Sequence, residues 1–518
     1  MKRPANRGLI AVVVLVGWAI VLGWHVRREY FKPLATRITE RARSLAPGTF
    51  FYSIKMNGQA IGVASTKLDT LPNQGGFRFS DRVQLDVPAL DQTHRALAQT
   101  DILMDPALRL QSFAFQLGSE IGDFIVRGRV RQDTLLDLAL RSGSGNDEHQ
   151  STMRMDPALV LDAAIPIRLA AGGELQVGRS LRTLVFNSSV MAEQVVELRV
   201  TAHDTMIVPD SADYSNSRKL FVVTSMDTIP VWRIEQTFGG VTIATWVDED
   251  GHLVKAESAL GYTLERTAFE IADQDWKKTK DDPRLATGYG AVIERTAIAA
   301  NVDLAAVTEA DSLRIKLSGV SLEGFDLPGG RQTLRRDTLV IQRERIADLR
   351  STYALPYGAG GEAGAELTST ALIQSNSPSI VKAAREIAGN STDPLEVSRK
   401  LNEWVYREID KDITLSIPSA EQVLAARQGD CNEHTVLYVA LARALGLPAR
   451  TAAGLVHVRG RFYYHAWPEV WLGDRWFAVD PTLGQYPADA SHVRFIVGGL
   501  ARQVELLRLI GRLRLEVV

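Results

Sequence analysis

The sequence predicts an α+β fold in three parts: an N-terminal transmembrane helix, a large antiparallel β region and a C-terminal α+β domain. Three observations support this prediction. A stretch near the amino terminus carries no charge, residues 49–270 alternate between apolar and polar side chains, and helical spacing appears after residue 375. At roughly 150 residues per domain, 518 residues are enough for about three or four domains.

The overall charge excludes one class of partner. The 59 lysines and arginines nearly balance the 61 aspartates and glutamates, and no basic arm or acidic tail stands out. Nucleic acid is therefore not expected as a partner. The apolar content of 45% allows one large core or several, and nothing in the composition indicates the oligomeric state.

Residues 8–26 predict a transmembrane signal anchor. The uncharged run from Gly8 to Trp24 would reach roughly 25 Å as a helix, which is near the minimum for spanning a bilayer. No small-residue cleavage pattern follows this run, so we predict an anchor that stays on the protein, not a removed signal peptide. Basic residues flank the segment on both sides, and charge alone does not orient it.

Residues 49–270 predict an antiparallel β-rich region. Apolar and polar residues alternate on both sides of Asn57-Gly58, which is typical of a two-residue hairpin turn, and Asp250-Gly251 is a second such turn. The pattern fits one large curved sheet or two similar halves. Without a histidine–carboxylate cluster or a glycine-rich phosphate loop, this region predicts a folding or ligand-presenting module.

The segments that follow are shorter. The residue pattern of 285–357 predicts a further β-rich segment, and the glycine-rich composition of 358–374 predicts a linker. Residues 375–498 form the C-terminal domain. Residues 499–518 predict a closing element packed on the core, with a membrane-surface helix as the alternative.

Cys431, the only cysteine of the chain, is predicted to lie in the first turn of a helix. Asp430 and Glu433 form a capping-box pattern around it, and Gly446 ends the helix. The helix dipole and the free N–H groups there favour a thiolate, which predicts a lowered pKa for the thiol. The same N–H groups are suited to stabilising an oxyanion.

Two further residues complete a candidate catalytic triad. His465 in HAWPEVW and Asp480 in RWFAVDPT lie on predicted neighbouring antiparallel strands. His465 would take the proton of the Cys431 thiol and return it to the leaving group. Asp480 would hold the imidazole tautomer and stabilise its cation.

These motifs resemble the transglutaminase-like superfamily, whose members have a papain-like core and a cysteine–histidine–aspartate triad. The resemblance is carried by GDCNEHTVLYVALARALGLPARTAAG and HAWPEVWLGDRWFAVDPT and covers residues 375–498, about a quarter of the chain. It implies Cys431 as nucleophile, His465 as general base and Asp480 as orienting carboxylate. Such domains usually occur in exported bacterial proteins, which implies a single-pass membrane protein with a periplasmic or other extracytoplasmic body.

Four other residues are candidates for lining the site. His434 lies on about the same helix face as Cys431, and Asn432 flanks the thiol. Gln428 is a candidate oxyanion donor, with a solvated loop residue as the alternative. Trp467 falls within the motif, where packing of the sheet is the alternative. No metal or cofactor is expected, because one thiol and scattered histidines do not make a zinc set.

The expected reaction is acyl transfer at an amide through a thioester on Cys431, with a protein or peptide as substrate. Water as acceptor gives a peptidase, an amidase or a deamidase, and an amine acceptor gives protein crosslinking by a transamidase. Hydrolysis is preferred by association with bacterial members of similar architecture. The rival hypotheses are a binding or assembly protein with a vestigial thiol domain, and a structural membrane scaffold.

Overall fold

The computed structural model describes residues 34–518 apart from 57, 72–74, 90–91, 120–121, 143–147, 157–158, 189–190, 259–260, 281–296, 303, 305–306, 350–351 and 413–415. Strands make up 48% of the structure and helices 22%. The predicted α+β class is therefore wrong for the chain as a whole, which is mainly β. The helices of the C-terminal domain are outweighed by the long strands that precede them.

The helices of the described residues are short. The longest has 15 residues, and their bounds are α1 Leu34–Ala42, α2 Ile165–Gly172, α3 Phe269–Lys280, α4 Pro378–Ala388, α5 Pro394–Glu408, α6 Ala420–Ala426, α7 Cys431–Ala444 and α8 Leu500–Gln503. Short 3₁₀ helices occupy Asp162–Ala164, Ile346–Asp348, Gly364–Leu367 and Val504–Leu509.

The membrane predictions are corrected by these helices. A bilayer span needs about 20 predominantly apolar residues, and no helix in the described part of the chain combines that length with that apolarity. The segment predicted as an anchor, residues 8–26, lies outside the described residues. The predictions of a transmembrane helix, a single-pass membrane protein and an extracytoplasmic body are therefore wrong for the residues that the structure describes.

One sheet dominates the fold. Fifteen strands of the described residues form it in the order β8-β7-β6-β5-β4-β3-β2-β1-β15-β14-β13-β12-β11-β10-β9. Their bounds are β1 Gly48–Met56, β2 Gln59–Leu71, β3 Gly76–Ala89, β4 Gln92–Met104, β5 Leu110–Ser119, β6 Gly122–Arg131, β7 Leu135–Ser142, β8 His149–Arg154, β9 Val160–Leu161, β10 Ser180–Asn187, β11 Ala192–Ser215, β12 Leu220–Phe238, β13 Val241–Val247, β14 Leu253–Ser258 and β15 Tyr262–Thr267. Two consecutive meanders, β1–β8 and β10–β15, join where β1 pairs antiparallel with β15.

The large sheet is strongly curved. β5 and β10 are the fourth and fourteenth strands in its order, so a flat sheet would separate them by about 48 Å at about 4.8 Å per strand. The rings of Phe113 on β5 and Phe186 on β10 nevertheless lie 5.5 Å apart. The concave face therefore closes over an apolar core, to which α1 contributes Ile38 and α2 contributes Ile167.

The C-terminal part contains two smaller sheets. The first packs against α7 and is built from β16 Ile298–Ala299, β22 Ala449–Val458, β23 Arg461–Leu472, β24 Arg475–Ala478 and β25 Val493–Val497. The second consists of β17 Ser312–Ser318, β18 Gln332–Arg335, β19 Thr338–Gln342 and β26 Arg514–Val517. A parallel pair, β20 Asp410–Lys411 and β21 Gln428–Gly429, leads into α7.

The second small sheet holds the segment that follows β24. Gln332 on β18 accepts a hydrogen bond from the Arg494 backbone N–H at 2.7 Å and donates to the Arg494 carbonyl at 3.0 Å. The Arg331 guanidinium donates to the carbonyls of Ala488 and His492 at 2.7 and 3.2 Å. Residues far apart in sequence therefore fix the loop and strand that lie beside the candidate site.

Candidate active site

The capping box places Cys431 at the first residue of α7. Asp430 is the N-cap, and its Oδ1 accepts the Asn432 backbone N–H at 2.7 Å. Glu433 Oε2 accepts the Asp430 backbone N–H at 3.0 Å. Gly429 makes room for this arrangement, because a Cβ at that position would lie 2.2 Å from the Cβ of Glu433. The local sequence GDCNE therefore fixes where the thiol stands.

The Cys431 sulfur lies between α7 and β23. It is half-buried against the apolar core of the C-terminal part, and the backbone N–H of Ala466 donates a hydrogen bond to it. Burial raises the pKa of the Cys431 thiol well above its ordinary value, and the nearby Asp430 carboxylate raises it further. The lowered pKa predicted from the helix start is wrong for this structure, because burial and nearby carboxylates outweigh the N-terminal position.

His465 and Asp480 are hydrogen-bonded to each other and buried. His465 Nε2 lies 2.7 Å from Asp480 Oδ2, while Asp480 Oδ1 accepts the backbone N–H groups of Thr482 and Leu483 at 2.8 and 3.0 Å. Burial alone would raise the pKa of Asp480. The charge and hydrogen bond of His465, with those of His492, instead hold it well below its usual range.

The structure brings the three candidate triad residues to one place. His465 directly precedes Ala466, whose N–H reaches the Cys431 sulfur, and Asp480 follows β24, the neighbour of β23. Because the bond to Asp480 uses Nε2 of His465, Nδ1 is the nitrogen left to accept the thiol proton. The three residues therefore lie on adjoining elements, and their roles as nucleophile, base and orienting carboxylate stay predictions.

A fourth polar residue, His492, was missed by the sequence reasoning. Its Nε2 lies 2.9 Å from Asp480 Oδ2, and its Nδ1 lies 3.1 Å from Asp489 Oδ1. Burial lowers the pKa of His492, but the hydrogen bonds to both carboxylates outweigh burial and raise it. No spacing rule in the sequence connects His492 with the triad, because it reaches Asp480 through a loop.

The donor atoms of His465, Asp480 and His492 lie within 4.8 Å of one another, close enough in principle to hold a metal ion. The N–O distances of 2.7 and 2.9 Å are those of hydrogen bonds. Ligands at about 2.0–2.1 Å from a tetrahedral zinc ion would lie roughly 3.3 Å apart. The geometry is therefore that of a hydrogen-bonded cluster in which Asp480 Oδ2 accepts from both imidazoles.

The other predicted site residues have varied surroundings. His434 is fully buried, and its Nδ1 lies 2.7 Å from the Asp430 carbonyl, so it braces the start of α7. Asn432 Oδ1 accepts a hydrogen bond from the Tyr464 hydroxyl at 3.3 Å. Trp467 is buried and stacks on the His465 imidazole, with ring centroids 6.1 Å apart. Gln428 lies in β21, and its side chain has no hydrogen bond within the described residues.

A buried ion pair supports the strand that carries His465. Glu469 on β23 contacts Arg450 on β22 at 2.6 Å and Arg494 on β25 at 2.9 Å. The Arg450 guanidinium also lies 4.0 Å from the centre of the Trp476 ring. These contacts tie three strands together beside the triad.

A small, largely apolar cavity of about 190 Å³ lies beside the first turns of α7. Two of its lining residues, Asn432 and Gln503, contact the Tyr464 hydroxyl at 3.3 and 2.7 Å. Tyr464 is 40% exposed although it lies next to the triad. The lining comprises Met191, Thr370, Ala371, Leu372, Ile373, Pro418, Asn432, Val436, Thr451, Gly499, Leu500, Ala501, Arg502 and Gln503.

Residues 381–481 match the family model of the transglutaminase-like superfamily. The C-terminal part of this chain is a transglutaminase-like domain. The resemblance predicted from the motifs is thus confirmed, and it assigns the domain to a family of thiol enzymes. The matched stretch includes Cys431, His465 and Asp480, and it ends before Asp489 and His492.

Similar proteins add little about activity. Uncharacterised proteins of Mycobacterium bovis and Mycobacterium tuberculosis are 30% identical over 169 residues, which are 29% of this chain and 51% of each relative. The chain thus matches about half the length of these relatives. A Cytophaga hutchinsonii crystal structure, provisionally described as a cysteine protease, shows 15% identity and a TM-score of 0.27, covering 39% of this chain and 83% of that chain. A similarity this low carries no argument about activity.

Proposed function

We propose that the transglutaminase-like domain transfers the acyl group of an amide through a thioester on Cys431, with a protein or peptide as substrate and water as the usual acceptor. One observation carries the proposal. The His465 imidazole is bonded through Nε2 to Asp480 and directly precedes the residue whose N–H meets the Cys431 sulfur. This arrangement is suited to general-base activation of a thiol.

The geometry suggests the order of the steps. The Cys431 sulfur adds to the substrate carbonyl while its proton passes to His465 Nδ1. The resulting oxyanion is stabilised by the backbone N–H of Cys431, because the Asp430 side chain already accepts the N–H groups of Asn432 and Glu433. The C–N bond then breaks, the proton on His465 passes to the leaving amine, and a thioester remains. A water molecule, activated by the same imidazole, releases the acid and restores the thiol.

The raised pKa of Cys431 favours a neutral resting pair of thiol and imidazole. His465 then acts as a general base during the attack and does not hold a preformed thiolate. Asp480 contributes by stabilising the imidazolium that forms, since its Oδ2 accepts the Nε2 proton of His465.

The cavity beside α7 is assigned to an apolar side chain of the acyl donor. Its lining is mostly apolar, its volume of about 190 Å³ suits a single side chain, and it borders Asn432, the residue after the nucleophile. Burial of a large apolar side chain there would contribute about 1.5–3 kcal/mol to binding. Peptides with a small or charged side chain at that position are expected to be poorer substrates.

Peptide cleavage tests this proposal. The purified protein is incubated with a peptide library in ¹⁸O water, with and without a labelled primary amine, and products are identified by mass spectrometry. We expect new carboxyl ends that carry ¹⁸O and depend on Cys431, whereas the Cys431→Ala variant gives none. Amine incorporation in preference to ¹⁸O would replace hydrolysis by transamidation, and conversion of glutamine side chains to glutamate would indicate a deamidase.

A matched control separates loss of chemistry from loss of fold. Thr435 follows on the same helix, and its hydroxyl donates to the Cys431 carbonyl at 2.7 Å. The Thr435→Ala variant should therefore keep most of the activity while perturbing α7 to a similar extent. If no library peptide is modified, or if Cys431→Ala gives the same products as the unmodified protein, acyl transfer by this thiol is refuted and the binding or assembly hypothesis is favoured.

A further inference from the structure

The carboxylate of the triad has a second imidazole partner that the family match does not include. His492 is fully buried, and each of its ring nitrogens faces a different carboxylate, Asp480 at 2.9 Å and Asp489 at 3.1 Å. Asp489 is fixed in turn, because its Oδ1 accepts the backbone N–H and the hydroxyl of Ser491 at 2.8 and 2.6 Å. The chain Asp489–His492–Asp480–His465 is therefore continuous.

The hydrogen bonds determine the charge of His492. An ionised carboxylate only accepts hydrogen bonds, and a neutral imidazole has only one N–H to donate. Asp480 is held ionised by four donors: two imidazoles on Oδ2 and two backbone N–H groups on Oδ1. Asp489 likewise accepts several donors. His492 must therefore donate from both nitrogens, which requires the imidazolium form.

The other charged groups around His492 leave this assignment unchanged. The Arg331 guanidinium donates to the His492 backbone carbonyl, and it lies 3.9 Å from Glu344. The His465 ring centre is 5.7 Å away, and the uncharged Trp467 ring is 5.1 Å away. The two aspartates are the only carboxylates within hydrogen-bonding distance of the imidazole among the described residues.

We propose that His492, held as an imidazolium between Asp480 and Asp489, keeps the resting Cys431–His465 pair uncharged until a substrate carbonyl arrives. His492 acts through Asp480 and by its own charge, so it is a positioning residue and not a catalytic one. The proposal rests on the proposed thiol function, since it concerns the protonation of the same pair.

The electrostatic consequence follows from the distances. A positive charge on His492 partly cancels the effect of Asp480 on His465 and repels an imidazolium there. Two like unit charges 5.7 Å apart disfavour the doubly charged state by roughly 100-fold at an effective dielectric constant of about 20. A resting pair of Cys431 thiolate and His465 imidazolium is thereby disfavoured.

A charge-removing variant gives a distinctive result. His492→Gln keeps an amide N–H that can donate to Asp480 but has no charge, and the Thr482 and Leu483 N–H groups still hold that carboxylate. We expect the pH at which iodoacetamide alkylates Cys431 at half its maximal rate to fall by roughly two units. An unchanged or higher half-maximal pH would indicate that His492 has only a structural role, and this result would overturn the proposal.

Two further measurements test the role of His492 even if the His492→Gln variant folds poorly. Nitrogen NMR of ¹⁵N-histidine-labelled protein, assigned with His492→Gln, should show both nitrogens of His492 protonated at pH 7, and a neutral tautomer there would refute the proposal. Asp489→Asn, which leaves the imidazole in place, should shift the alkylation curve in the same direction. The control is His252→Gln, because His252 is also buried and lies 3.3 Å from an aspartate, Asp248, but is in the turn between β13 and β14 of the large sheet. Its alkylation curve should match that of the unmodified protein.

The outcomes separate this inference from the proposed function. Alkylation measures the thiol without a substrate, so a shifted curve together with an absence of peptide turnover would support the role of His492 and contradict acyl transfer. Turnover that depends on Cys431, together with an unshifted curve in His492→Gln, would contradict only the role of His492.

Discussion

Replacing Asp480 by Asn tests the geometry of the triad most severely. The Asp480 Oδ2 atom accepts the Nε2 protons of both His465 and His492, at 2.7 and 2.9 Å. In Asp480→Asn the amide oxygen can still accept the Thr482 and Leu483 N–H groups, which places the NH₂ group opposite two N–H donors. His465 then prefers the tautomer that carries its proton on Nδ1, and that nitrogen no longer accepts the thiol proton.

The expected loss of acylation rate in Asp480→Asn follows from the hydrogen bonds that the substitution removes. Bonds to a charged group contribute about 1.5–3 kcal/mol each, and two of them end on Asp480 Oδ2. A loss of about 3–6 kcal/mol from the transition state corresponds to a rate reduced by about 10²–10⁴-fold. The assay is the burst of p-nitrophenol released when an activated ester acylates Cys431, followed by stopped flow.

The control for this variant is Asp474→Asn, at an 80% exposed carboxylate in the turn between β23 and β24. It should acylate at the normal rate. An Asp480→Asn protein that folds normally and acylates within threefold of the unmodified protein would refute the orienting role of Asp480.

Four further predictions concern stability and specificity. Glu469→Ala leaves two arginines without their buried partner and should lower the free energy of unfolding by about 3–5 kcal/mol in urea titrations, against less than about 1 kcal/mol for the exposed Glu403→Ala. Gly429→Ala should lower the free energy of unfolding by about 1–3 kcal/mol and slow alkylation of the Cys431 thiol, because the added Cβ would collide with Glu433 of the capping box. An unchanged free energy of unfolding and an unchanged alkylation rate would contradict this role of Gly429. The lowered pKa of Asp480 stabilises the fold fully above about pH 4, the usual range of an aspartate, and this contribution should be lost as the pH falls further; urea midpoints that stay constant from pH 7 to pH 3 would contradict it. Leu372→Trp should fill the cavity and lower kcat/KM for peptides with large apolar side chains more than for those with alanine; an equal loss for both would refute the cavity assignment.

The local features of the site could be predicted, because they depend on short stretches of sequence. The start of α7 follows from Asp430 and Glu433, whose capping box forms as the pattern indicates. The positions of His465 and Asp480 near neighbouring strands follow from alternation and a two-residue turn. Each of these signals depends on residues only a few positions apart.

Features that depend on distant packing could not be predicted. The raised pKa of Cys431 results from burial between α7 and β23, whereas the local pattern contains only the helix start. His492 reaches Asp480 through a loop that Arg331, far away in sequence, holds in place. The α+β class is wrong for a different reason, since alternation indicates individual strands but not how far fifteen of them outweigh the helices of the C-terminal domain.

Acyl transfer by Cys431 is tested by identifying the atom that carries the acyl group. The protein is mixed with a peptide amide, quenched in acid within milliseconds to seconds, digested and sequenced by mass spectrometry. Thiol catalysis predicts a thioester on Cys431 that forms in the unmodified protein, decays as product appears and is absent from His465→Ala. An acyl group on any other residue, or a Cys431 thioester that forms equally fast in His465→Ala, would contradict it.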